Sequence, residues 1–354
     1  MHFGQFNLMG YRYRGASVGQ IYDNTVGQVK AAEKAGFEAS WFAEHHFSNY
    51  CACPSPLMMV ARLAGETTRI KLGTAVVVTP LYNPARLLAE IGMVEALTHG
   101  RLLLGVGSGY QPYEFERFGE DLSNSAEQLI EFMQMLELAF SRETFSFSGK
   151  HYSMPETHIA TRPRDGARIP IWTAGENPKL VQFAARQGYI TMLSPRHFNA
   201  DLLEVAKQRL KENYAAAGAD PAKLRFGMLR HICITDDKAE AASFLDNVRH
   251  QIRLSQSLRL REEALDGGML IEKTYPGEPP IEDLARFMLI GDATTVAERL
   301  AEEIRRTEPS HVMLQFQAGA SDQGLALRSI ERFAGEVRPM LEKALGPLDR
   351  ISPM

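Results

Sequence analysis

Cysteine is scarce: three residues in a chain of 354. An odd count that low excludes a disulfide-stapled scaffold and points to a reducing compartment, the cytoplasm. No run is long and apolar enough to span a bilayer. The first residues, Met1-His2-Phe3-Gly4-Gln5-Phe6, lack a basic stretch leading into an apolar one, so they read as a first strand rather than a leader. Positive charge is not in excess either. Lys and Arg number 39 against 43 Asp and Glu, a formal net charge of −4, which gives no electrostatic case for nucleic acid. No internal repeat or low-complexity linker interrupts the chain.

What remains is a regular alternation of elements. Phe3 to Asn7 is a short apolar strand. Tyr22, Val26, Val29 and Ala32 recur at helical spacing, and Gly36 follows as a cap. Phe37 to Ala43 is a second strand, Pro56 to Gly65 a helix, and Arg69 to Val78 a nearly continuous apolar strand of the kind buried on both faces. Pro84 to Leu97 is a helix with proline in its first turn, and Arg101 to Val106 the fourth strand. A helix from about Ala126 to Phe140 opens on Ser125 and Gln128, a capping-box pattern. Strands follow at Ile169 to Ala174, Ile190 to Ser194, Arg225 to Thr235 and His311 to Phe316, with helices at Asp201 to Ala217 and Thr295 to Arg306.

Eight strands alternating with helices predict an α/β fold, a single (β/α)8 TIM barrel domain over residues 1–354. An open doubly wound sheet would carry a glycine-rich fingerprint after its first strand, where this chain has Leu8-Met9-Gly10-Tyr11. Two connections are long, the insertions after strands 4 and 7 (Tyr110 to Arg168 and Asp236 to Ile290). Both leave the carboxyl ends of strands, where catalytic groups of barrels gather, so both are expected to form lids or substrate walls.

Three runs sit at those ends. Trp41-Phe42-Ala43-Glu44-His45-His46 places an acid and two imidazoles where the second strand stops. Neighbouring strand residues point to opposite faces, so His45 and His46 cannot both look inward. A satisfied strand-end histidine explains the run about as well as a proton-transfer group does. Gly105-Val106-Gly107-Ser108-Gly109-Tyr110 lets a flat ligand or an anion approach the backbone, though such a turn is often only a turn. In Ala174-Gly175-Glu176-Asn177-Pro178, Asn177 is a cap and Pro178 the first helical residue, a helix start able to take phosphate, or simply a capped helix. Cys51 and Cys53 read as reduced thiols in a mouth loop, and no further ligands at metal spacing accompany the histidines, so no metal site is expected.

Together these runs, with Leu72-Gly73-Thr74-Ala75-Val76-Val77-Val78, Asn83-Pro84 and Gly100-Arg101 in order between them, resemble the bacterial luciferase-like, flavin-dependent monooxygenases from residue 1 to about 195. The resemblance implies a TIM barrel that binds reduced FMN (FMNH2), supplied by a separate flavin reductase at the expense of NAD(P)H. Dioxygen adds at the flavin C4a, and the (hydro)peroxide oxidises a small organic substrate. His45 aligns with the catalytic histidine and Glu44 with the acid beside it. Ala75 and Val76 fall where such barrels carry a non-proline cis peptide under the isoalloxazine. Gly107, Ser108, Tyr110, Ala174, Glu176, Asn177, Leu180 and Ser194 fall at cofactor-binding positions. Luciferase has an arginine where this chain has Ser108, a cysteine where it has Gly107 and a flavin-stacking tryptophan where it has Pro195, so light emission is not implied. Relatives also include deazaflavin (F420)-dependent dehydrogenases. Non-catalytic flavin-binding proteins and a metal-dependent hydrolase complete the alternatives. A homodimer through the second and third helices is expected, with Ala61, Ala64, Ala85 and Ala89 permitting close approach. Phe115, Phe118, Met269, Leu270 and Tyr275 are expected to cover the site, keeping water from it.

Overall fold

The computed structural model describes residues 1–163, 168–194 and 199–348. Eight parallel strands run β1 His2–Asn7, β2 Ala39–Phe42, β3 Lys71–Thr74, β4 Leu102–Gly107, β5 Ile171–Ala174, β6 Ile190–Leu193, β7 Phe226–Ile234 and β8 His311–Gln315. Each pairs with the next, and β8 pairs back onto β1 in the register His2 to His311 through Gln5 to Leu314. The ring is therefore closed, with no barrel strand left as an edge. All nine residues of β7 are buried; its far end, Ile232 to Ile234, pairs with a short strand at Leu289–Gly291 outside the ring.

Local chemistry starts each helix. In α2 (Pro56–Ala64), α3 (Pro84–Thr98) and α6 (Pro178–Gln187) proline stands in the first turn behind a polar cap, Ser55, Asn83 or Asn177, whose side chain accepts an early backbone N–H. α1 (Val18–Lys34) is capped by Ser17 and turns Val26, Val29 and Ala32 inward. The lower barrel is filled by Trp41 and Trp172, edge to face at 4.6 Å. Gly73 makes that possible, since a Cβ there would stand 2.2 Å from the Trp41 ring. No helix among the described residues is long and apolar enough to cross a membrane.

Four expectations change. The run from Arg69 to Val78 is not one strand: β3 stops at Thr74, the Ala75–Val76 peptide is cis, and Val77–Val78 then pairs with β4. Ser125 does not cap α5 (Ser125–Ser141); Asn124 stands there without a side-chain bond, after a turn that Asp121 caps. Among the described residues, only the first part of the long connection after β4 reaches the barrel mouth. Its hairpin, Phe145–Ser148 with Ser153–Thr157, lies along α5, where Glu131 accepts from the backbone N–H groups of Lys150, His151 and Tyr152. The fourth change is in the cover of the site.

Candidate active site

A cavity of about 480 Å3 opens at the carboxyl ends of the strands. It is lined by all twelve residues singled out in the sequence: Glu44, His45, Ala75, Val76, Gly107, Ser108, Tyr110, Ala174, Glu176, Asn177, Leu180 and Ser194. Pro195 lies outside the described residues.

The two histidines face apart, although both lie past the end of β2 at Phe42. His45 N donates to Cys53 O at 3.2 Å and its ring lines the cavity. The His46 ring turns away to pack against Phe47 and Phe118, with Nε2 3.0 Å from Glu44 Oε1. Glu44 is 2 % exposed, and its other oxygen accepts from Val78 N at 3.1 Å and Tyr82 OH at 3.0 Å. Burial holds its carboxyl above the usual range, a rise that His46, Val78 N and Tyr82 offset only in part. The acid thus ties the end of β2 to the segment just past the cis peptide. Val76 also packs where Gly107 lacks a side chain: a Cβ there would meet Val76 Cγ2 at 2.5 Å.

Sequence reasoning missed the partner of His45. Glu114 lies in the first turn of α4 (Pro112–Phe118) and is 1 % exposed. Its Oε1 is 3.1 Å from His45 Nδ1 and accepts the backbone N–H of His46 at 2.7 Å. Gln111 Nε2 stands 3.0 Å from the same Nδ1; with that amide turned so that its otherwise unpartnered Oε1 faces the ring, Nδ1 carries the proton toward Glu114 and His45 Nε2 is left facing Tyr110 OH, 3.5 Å away. Tyr110 OH also lies within 3.4 Å of Tyr50 OH and Ser255 Oγ. Burial pushes both phenols up, so they are neutral donors at ordinary pH. The one sequence signal for Glu114 was Gln111-Pro112-Tyr113-Glu114, a helix start with an acid in its first turn.

The cover is also different. Met269, Leu270 and Tyr275 do not line the cavity, Phe115 packs under Gly109, and Phe118 lies on His46. The wall comes instead from α8 (Lys238–Leu260), whose stripe Gln251, Ile252, Ser255, Gln256 and Arg259 faces inward. An ion pair between Arg261 and Glu116 ties the end of α8 to α4. On the floor, Gln251 and Gln315 exchange amide hydrogen bonds at 3.3 and 3.0 Å. His231, with its pKa pushed down to about 3 by burial, is the neutral acceptor for Gln251 Nε2 at 3.2 Å.

At the other end, Ser125 on the first turn of α5 and Asn177, Pro178's cap on α6, line the cavity together with Ser108. Two helix N-termini and two hydroxyls thus converge where an oxyanion can be held. Glu176 leans away toward Arg209, 3.8 Å distant.

The family model for luciferase-like monooxygenases matches residues 1–311. The chain belongs to this family. Among its relatives is the uncharacterized protein y4vJ of Sinorhizobium fredii, 38% identical over 347 residues, with 98% of this chain and 99% of that protein covered. The oxygenase component of a flavin-dependent trigonelline monooxygenase from Acinetobacter baylyi is 29% identical over 290 residues, covering 79% of each chain. An F420-dependent glucose-6-phosphate dehydrogenase from Kineococcus radiotolerans is 27% identical over 323 residues, 88% of this chain and 90% of its own. In structure, the oxygenating constituent of 3,6-diketocamphane monooxygenase from Pseudomonas putida, in complex with FMN, superposes with a TM-score of 0.76 at 20% identity, covering 96% of this chain and 98% of that one. That likeness is one of fold. The barrel of the luciferase-like monooxygenases is thus the frame on which His45, the Ala75–Val76 ledge and the paired helix starts are set.

Proposed function

We propose that this chain is the oxygenase component of a two-component monooxygenase, taking reduced FMN from a separate NAD(P)H-driven flavin reductase and using O2 to oxidise a small organic substrate in the cytoplasm. The observation that carries this reading is one cavity holding both an oriented imidazole and a cradle of the right chemistry for a flavin phosphate.

The residues fit that cofactor. Ala75 and Val76 offer a flat apolar ledge braced from behind by Glu44 through Val78 N and Tyr82. Ser108, Ser125, Asn177 and the amides at the starts of α5 and α6 would hold the phosphate by neutral donors and helix dipoles, in place of the arginine that this chain lacks. Ala174, Glu176, Leu180 and Ser194 complete the cofactor wall, and Gly107 lets Val76 sit close. Bound reduced FMN supplies the electrons that activate dioxygen. The protein's own part is to handle the proton and exclude water. His45 takes or gives a proton at Nε2, Glu114 fixes its tautomer and supports the imidazolium, and Glu44 positions the ledge. α8 and Tyr110 cover the cavity.

The chain is further proposed to pair with a second copy through α2 and α3. Met58, Met93 and Leu97 on those helices are 73 %, 54 % and 43 % exposed, a large apolar surface for solvent. The F420-dependent relative supports a second reading, a deazaflavin-dependent dehydrogenase. Titration with FMN and with F420, followed by reduction and mixing with oxygenated buffer, separates the two. The first reading expects preference for FMN and oxygen uptake that depends on His45. Preference for F420 with hydride transfer and no oxygen uptake replaces it by the second. Flavin binding with no turnover, unchanged by His45→Ala, makes the chain a flavin carrier.

A further inference from the structure

α8 carries four arginines in its second half and at its end, and three are matched by acids. Arg249 pairs with Asp246, Arg253 with Glu272 and Glu278, and Arg261 with Glu116. Arg259 is different. It lines the active-site cavity, and its guanidinium carbon lies 4.2 Å above the centre of the Tyr110 ring. Among the described residues no carboxylate stands within ion-pair distance of it and no acceptor takes its N–H groups. The two carboxylates lining the cavity are engaged elsewhere, Glu44 by three donors and Glu176 toward Arg209.

Stacking on an aromatic face holds a guanidinium in place without using its in-plane donors. A fork of N–H groups left in this way matches a planar oxyanion, which it can grip with two parallel hydrogen bonds. Its position tells which oxyanion. Ser255, one helical turn before Arg259, meets Tyr110 OH at 3.4 Å, and the same hydroxyl lies 3.5 Å from His45 Nε2. Arg259 is thus one ring away from the reacting imidazole. The surrounding wall, Phe6, Leu8, Tyr50, Leu229, Ile252 and Met313, is apolar or aromatic. The phosphate cradle is built elsewhere, from the turn after β4 and the starts of α5 and α6.

We propose that Arg259 binds the carboxylate of the substrate, and that the substrate class is a small organic carboxylate on an apolar, preferably aromatic, body. This rests on the reading of the cavity as the oxidising site, and it extends that reading to what is oxidised. The competing source of an oxyanion is the flavin phosphate itself.

The test is calorimetric titration of flavin-free and FMN-loaded protein with benzoate and with benzamide, in the wild type and in Arg259→Gln, together with FMN and riboflavin affinities of both proteins. The expected result is that benzoate binds at least about tenfold more tightly than benzamide, a preference lost in the variant, while the ratio of FMN to riboflavin affinity is unchanged. Equal binding of the two probes by the wild type, or a preference that survives in the variant, overturns the proposal. So does a fall in the FMN to riboflavin ratio on substitution, which assigns Arg259 to the phosphate. Arg259→Met serves if the glutamine variant does not fold. A chain that binds no flavin sinks the FMN reading alone, since the benzoate comparison on flavin-free protein is still decisive.

Discussion

Replacing Glu114 by glutamine changes charge and almost nothing of shape. The glutamate Oε1 accepts from His45 Nδ1 at 3.1 Å and from His46 N at 2.7 Å. A glutamine Oε1 in the same place accepts both, but without the charge. Hydrogen bonds to ionised groups contribute about 1.5–3 kcal/mol and neutral ones about 0.5–1.5. The imidazole therefore loses about 1–1.5 kcal/mol of support for its protonated form, which is roughly a five- to tenfold slowing of any step that needs it. Glu114→Ala removes the acceptor altogether. It leaves the buried His46 N–H unpaired, costing about 1–3 kcal/mol of stability, and it frees the His45 ring to rotate. The assay is stopped-flow reoxidation of protein-bound reduced FMN by oxygenated buffer, with hydrogen peroxide leakage and the FMN dissociation constant measured alongside. FMN affinity should hold to within about twofold, because Glu114 does not line the cavity. Defects should rise from Glu114→Gln to Glu114→Ala, the latter approaching His45→Ala. If Glu114→Ala behaves as wild type while His45→Ala is impaired, the carboxylate does not act through the imidazole and the reasoning fails.

Gly107→Ala drives a methyl to within 2.5 Å of the stiff, β-branched Val76, so it should destabilise the chain by about 1–3 kcal/mol and weaken FMN binding, read by urea unfolding and fluorescence quenching. Arg230 and Glu303 form a buried two-pronged pair at 2.9 and 2.6 Å; Glu303→Ala removes both acceptors and should cost about 3–5 kcal/mol in urea unfolding. His231 and His311 stay neutral in the folded state down to about pH 3, whereas unfolded histidine takes a proton near pH 6.5. Their contribution is therefore fully present above the unfolded value and is lost as pH falls toward 3, at up to about 1.4 kcal/mol per pH unit per site. His231→Asn should flatten the loss of stability between about pH 6 and pH 4; an unchanged slope would show that this site does not titrate on unfolding. Met93→Glu should convert a dimer to monomers in light scattering at micromolar concentration, and a wild type already monomeric there removes the proposed α2–α3 interface.

The fold was legible because every barrel strand is a short apolar run between helix signals, and closure follows from their number and alternation. The ends of β2, β4 and β5 were legible for the same reason: an acid, imidazoles or glycines directly after an apolar run stand out. The cis bond at Ala75–Val76 was not visible in residue type, since Leu72 to Val78 is apolar but for Thr74 and reads as one strand; only the resemblance pointed to it. The capping box at Ser125 failed because Asp121 caps a turn that begins four residues earlier and shifts the helix start. Glu114 and the α8 stripe were hidden for a different reason. Gln251, Ser255, Gln256 and Arg259 look like the solvated face of an amphipathic helix, and only the tertiary placement of α8 turns that face into a cavity wall. The expected apolar cover from Met269, Leu270 and Tyr275 rested on composition, whereas Leu270 is buried elsewhere and held by Asn49, whose Oδ1 accepts its N–H at 2.8 Å.

The most direct measurement is a crystal structure of the chain with FMN. The account predicts the isoalloxazine on the Ala75–Val76 ledge with His45 Nε2 facing it, and the phosphate among Ser108, Ser125 and Asn177. A flavin bound elsewhere, or a phosphate held away from both helix starts with His45 turned from the ring, would contradict it.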